Sequence, residues 1–165
     1  MDEVKALRNV VFNSPLEIGL RLLFILNRTS RLLDLQRLIF YNYLIVHSSD
    51  IPDSPGSIHA DLPRRSCEML VNRDIVKKGL TLLISKNLIG VKYSKEGILY
   101  GKNENTDILL KNFESEYSTL LYDRAEWLCS NFDNFSDDKL SLFIEENLGK
   151  WGSEFSAIYD YSDDK

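Results

Sequence analysis

Two histidines and three carboxylates fall within one fifteen-residue stretch: His47, Asp50, Asp53, His59 and Asp61. Imidazoles and carboxylates ligate catalytic metals and shuttle protons. Of these, His47, Asp50, His59 and Asp61 form the candidate functional loop. Their spacings match no compact ligand motif, so a proline-ordered surface loop with incidental polar residues is the favoured reading. An enzyme built on this loop would bind metal, or would lose activity in His47→Ala or His59→Ala.

Nucleophiles are scarce. Cys67 and Cys129 are far from each other and from any histidine in sequence, at helical positions where a thiol is ordinarily buried. Gly79, Gly90, Gly97 and Gly101 are isolated, so no glycine-rich phosphate loop occurs, and the chain is not an ATPase by itself. No cofactor, metal or small-molecule substrate is expected.

The strongest chemical signal is electrostatic. The chain carries a net charge of −5, yet residues 64–102 hold nine Lys/Arg against three acids, a net of +6. Residues 103–165 hold five against fifteen. Arg73, Lys77, Lys78, Lys92, Lys95 and Lys102 are the candidate basic surface, facing either nucleic-acid phosphates or a protein partner. That surface has few Asn, Gln or Arg side chains suited to reading base edges.

The elements that must position these residues follow from periodicity and caps. Ser14-Pro15 with Glu17 starts a helix running to about Asn27, apolar around most of its circumference and so central. Asp34 caps a second helix to about His47. The irregular segment 48–63 holds three of the four prolines. From Ser66 two helical pieces meet near Asn72. The second of these buries Ile75, Val76, Gly79, Leu80, Leu83 and Leu88, and Asn87 ends it. Residues 89–93 and 98–102 then read as strands around the turn Ser94-Lys95-Glu96-Gly97. Helix, strand, short basic turn and strand is the order of a winged helix. A long amphipathic helix is expected from Asp107 to about Phe132, and a shorter one from Ser136 to Leu148, ended by Gly149. The tail carries Phe155, Ile158, Tyr159 and Tyr161, which suits a short strand or a segment that folds onto a partner.

At 165 residues and 44% hydrophobic, with 8 glycines and 4 prolines, the chain suits one compact domain. The expected class is mainly α with a small β-hairpin. Residues 1–103 form a winged-helix-like part with the 48–63 insertion, and 104–165 form a C-terminal helical extension packed on it. The apolar runs 16–26 and 38–46 are too short and too interrupted to span a membrane, and the N-terminus lacks a signal-peptide pattern. A reduced, cytoplasmic protein is expected.

Several stretches resemble one family. They are Phe12-Asn13-Ser14-Pro15-Leu16-Glu17-Ile18-Gly19-Leu20-Arg21, Leu33-Asp34-Leu35-Gln36-Arg37-Leu38, Val46-His47-Ser48-Ser49-Asp50-Ile51-Pro52, His59 through Ser66, and Glu96-Gly97-Ile98. Together, over roughly residues 10–130, they resemble the middle component (type 2) of bacterial ABC three-component systems, which are related to Lamassu-type anti-phage defence. The resemblance implies a non-catalytic adaptor. Its partners would be an SMC-like ABC ATPase that senses DNA and a separate effector, often a nuclease, with DNA met through the complex. It carries over no catalytic residue. The competing expectation is a stand-alone winged-helix transcription regulator.

Overall fold

The computed structural model describes residues 14–60, Met69 and residues 72–151. Along the chain come α1 (Pro15–Arg28), β1 (Leu33–Asp34), α2 (Leu35–Leu44) and a 3-10 turn (Ser48–Asp50). These are followed by α3 (Arg73–Ser85), β2 (Ile89–Ser94), β3 (Gly97–Lys102), α4 (Glu104–Leu110), α5 (Glu116–Phe132) and α6 (Asp137–Leu148). The fold is mainly helical with one small antiparallel sheet, ordered β1-β3-β2.

Helix α1 is the central element. Ser14 accepts a hydrogen bond from the Glu17 amide at 3.2 Å and proline takes the first helical position, as the cap signal predicts. Ile18, Leu22, Ile25 and Leu26 are fully buried. Arg21 is buried too, and donates to Glu17 one turn back. The polar stripe of α1 therefore faces inward, beneath the 48–60 segment and α5.

Helix α3 crosses α1 where two glycines meet. A Cβ on Gly79 would stand 3.0 Å from the Gly19 nitrogen and 3.2 Å from the Pro15 carbonyl. Asn72 occupies the N-cap of α3, but its side chain makes no capping bond. After α3 the chain turns through Asn87 at φ 53°, a left-handed conformation that asparagine tolerates. The hairpin pairs Tyr93 with Ile98 and Val91 with Tyr100, and Gly97 supplies the positive φ (134°) that its turn requires.

Three expectations are corrected. Helix α2 stops at Leu44 rather than near His47, because the amides of Val46 and His47 both turn back to the Tyr43 carbonyl in a tightened last turn. Leu33 and Asp34 form a third strand opposite Tyr100 and Leu99; two residues are too few to leave a period in the sequence. The long helix from Asp107 to Phe132 is two helices. Asn103 and Thr106 form a reciprocal capping box that starts α4 earlier, and Ser115 caps α5 by accepting from the Ser118 amide at 3.1 Å. The Ser136 start and Gly149 end of α6 match the expectation. Cys67 and the tail beyond Trp151 lie outside the described residues.

Helix α5 buries Leu121, Ala125, Leu128, Cys129 and Phe132, and packs against α1. Burial pushes the Cys129 thiol up to about 12, helped by the neighbouring Asp133 carboxylate. A folded-state pKa above the unfolded value means this stability is complete below about pH 9. It is lost as pH rises toward about 12. The melting temperature should therefore fall over that window, and less steeply in Cys129→Ala. Equal slopes in thermal melts of the two proteins would refute the burial argument.

Candidate partner-binding groove

An open groove of about 500 Å3 runs between α3 and the hairpin. A stripe of α3 at i, i+4, i+8 and i+11 supplies one wall with Arg73, Lys77, Thr81 and Ile84, together with the buried Leu80. The other wall is Ile98 and Tyr100 of β3, and the start of α2 (Asp34, Leu35, Gln36) closes the floor. Because β3 alternates, Ile98 and Tyr100 share this face, and the register adds their partners Tyr93 and Val91 to it.

The groove is chemically polarised along α3. At the α3 N-terminal end Arg73 donates to the Gln36 side-chain oxygen at 3.2 Å, with Lys77 one turn on. Asp34 is already engaged, capping α2 through the Arg37 amide at 2.8 Å. About 16 Å along the helix, Ile84 is 42% exposed, facing Ile98 at 44% and Tyr93 at 78%. Burial raises the Tyr100 phenol above its ordinary pKa, with the nearby Tyr93 adding to the shift. Tyr100 is therefore a neutral wall at physiological pH.

All six cations of the expected basic surface are exposed, but they do not share one face. Arg73 and Lys77 line the groove. Lys78 follows on α3, and Lys95 sits in the hairpin turn. Lys92 pairs with Leu99, so it belongs to the opposite face of the sheet. Lys102 lies 4.0 Å from Asp107.

The candidate loop residues have a different destination. His47 is only 2% exposed, its ring 4.8 Å from Tyr43 and 6.2 Å from His59. Tyr43 donates to Asp50 at 2.5 Å and stacks on Trp151. His59 stands 3.3 Å from the Tyr117 hydroxyl and 3.8 Å from Glu17. Asp61 lies outside the described residues. Within the segment Ser48 donates to the Pro55 carbonyl at 2.8 Å, and Arg124 of α5 pins it to the body by donating to the Gly56 carbonyl at 2.9 Å. Among the described residues no group of three His, Cys, Asp or Glu side chains is placed to hold a metal ion. His47 and Asp50 hold the segment against Tyr43 of α2, and His59 holds it against α1 and α5.

Periodicity gave no sign of Arg37. It is 2% exposed and directs four of its five N–H groups across the α5–α6 junction, the fifth going to the Tyr41 hydroxyl one turn on in α2. Burial would lower its pKa, but bonds to Asp137 and Tyr41 more than offset this and hold it above the usual value. The acceptors at the junction lie about 100 residues away, where no local signal reaches.

These features define a small helical module with a β-hairpin and an amphipathic groove between α3 and the hairpin. The chain belongs to the family of the ABC-three component (ABC-3C) system Middle Component 2, whose model matches residues 11–154. No curated protein and no solved structure matches it.

Proposed function

We propose that the chain is a non-catalytic adaptor that couples an SMC-like ABC ATPase to a separate effector in a cytoplasmic anti-phage system of the Lamassu-related kind. Membership of a middle-component family carries this reading. Two separate apolar faces support it, because a component that joins two others needs two docking surfaces. One is the groove with Ile84, Ile98 and Tyr93. The other lies around the α4–α5 connection, where exposed Phe113 and Tyr122 line a cavity of about 520 Å3 together with Phe24 and Leu110, and α4 also exposes Ile108. The order α1, β1, α2, α3, β2, β3 with sheet order β1-β3-β2 supports a winged-helix core, a module that serves for protein docking as well as for DNA. Among the described residues no helix is long and apolar enough to cross a membrane.

Co-expression with the other components of its system tests this. A stable complex is expected, with Ile84→Asp plus Ile98→Asp losing one component and Ile108→Asp plus Tyr122→Asp losing the other. A chain that purifies alone, or retention of both components by both variants, would sink the proposal. The exposed cations Lys77, Lys78 and Lys95 favour a second reading, a stand-alone DNA-binding regulator. It requires salt-dependent duplex binding by the isolated chain, abolished when Lys77, Lys78, Lys92 and Lys95 are replaced by glutamate.

A further inference from the structure

The groove asks for an occupant that is acidic at one end and aliphatic or aromatic at the other. Arg73 and Lys77 call for carboxylates, while Ile84, Ile98 and Tyr93 leave apolar surface in water. One segment of the chain has this chemistry. Residues 154–164, which lie outside the described residues, carry Phe155, Ile158, Tyr159 and Tyr161 with Glu154, Asp160, Asp163 and Asp164, and no Lys or Arg. Three of the four carboxylates fall in its second half.

The tether is long enough. Trp151 is buried and stacks on Tyr43, in the last turn of α2, at 5.3 Å between ring centroids. Leu35 and Gln36, in the first turn of α2, line the groove. A ten-residue helix is about 15 Å long, whereas the thirteen residues from Trp151 to Asp164 reach at most about 45 Å.

We propose that residues 154–164 occupy the groove of their own molecule. The carboxylates meet Arg73 and Lys77, and the rings and Ile158 cover Ile84, Ile98 and Tyr93. A short tether places the segment at an effective concentration in roughly the millimolar range, so a weak site is filled without a partner. This seating stands apart from the adaptor reading; only its consequence, that a component docking in the groove must displace the segment, rests on that reading.

Photocrosslinking of the full chain tests the seating, with p-benzoylphenylalanine in place of Tyr159. At low salt and low protein concentration, crosslinks within one molecule to residues 77–84 and 93–100 are expected. The yield should fall at least fivefold in Arg73→Glu plus Lys77→Glu, and recover when Asp160, Asp163 and Asp164 are changed to lysine in the same chain. That recovery also excludes misfolding as the cause of the loss. Raising the salt to 1 M should lower the yield of the parent chain. Crosslinks between two copies, crosslinks confined to other surfaces, no crosslink at all, or a yield indifferent to the charge reversal would each overturn the proposal. Co-purification with the other components is a separate readout, so failure of one result leaves the other standing.

Discussion

Arg37→Met is expected to lower unfolding free energy by about 3–4 kcal/mol, one of the largest losses available from a single side chain here. The guanidinium donates through Nε to Asp137 at 3.0 Å, and through Nη2 to the same carboxylate at 2.7 Å and the Phe135 carbonyl at 2.7 Å. Nη1 donates to the Phe132 carbonyl at 3.1 Å and the Tyr41 hydroxyl at 3.2 Å. Phe132 ends α5, where carbonyls lack helical partners and a cation is favoured by the helix dipole. Tyr41 passes the connection on, donating to Asp133 at 3.0 Å; Asp133 also accepts from the Thr29 hydroxyl at 2.8 Å.

Methionine fills much of the volume but removes five donors, leaving the Phe132 carbonyl only its bond from the Phe135 amide and the Phe135 carbonyl only its bond from Arg31. A buried polar group left without its partner costs about 1–3 kcal/mol. The Asp137 side chain is 64% exposed and is rehydrated, which keeps the total below that of a fully buried ion pair. Urea denaturation should show the loss, with a melting temperature roughly 6–16 °C lower. Arg37→Lys keeps the charge but not the planar fork, and should fall between the two. A loss under 1 kcal/mol in Arg37→Met would mean that the four bonds across the α5–α6 junction do not hold it.

Gly79→Val is the second large effect, at about 3 kcal/mol. The crowding atoms are backbone: Gly19 N at 3.0 Å, the Pro15 carbonyl at 3.2 Å and Gly19 Cα at 3.3 Å from an added Cβ. They cannot yield unless α1 itself moves, and α1 is the centre of the core. A reciprocal Cβ on Gly19 meets nothing closer than 3.4 Å. Replacing a mid-helix glycine by alanine ordinarily gains about 1 kcal/mol, so the two sites should separate. Gly19→Ala should be near neutral, Gly79→Ala destabilising by about 1 kcal/mol, and Gly79→Val worst. If Gly79→Ala instead stabilises the protein as it would on a free helix, the close α1–α3 crossing is refuted.

Much of the local structure was legible because its causes are local. Ser14 and Ser136 cap helices through their own amides three residues on. Gly97 turns the hairpin because the turn needs positive φ. The α5 stripe from Leu121 to Phe132 is periodic enough to read directly. The break between α4 and α5 was missed because amphipathicity continues across residues 111–115. There the Ser115 cap, a three-residue signal, outweighs the longer period.

The candidate sites divide along the same line. The sequence alone determined the helical class, the hairpin, the family, and the concentration of positive charge between residues 64 and 102. It could not say which cations share a face. Strand register decided that Lys92 stands away from the groove that Arg73 and Lys77 line. Nor could it tell the polar residues of a surface from those of an interior: Arg21, Arg37 and His47 have the composition of one and the location of the other. For Arg37 the acceptors at the junction are brought near only by packing, from about 100 residues away. Caps, turns and periods act over a few residues and can be read from the chain; desolvation and long-range hydrogen bonds exist only once the core has closed, so the tertiary structure alone placed His47, Asp50 and His59 in contacts with the helices and part of the basic island at one end of a groove.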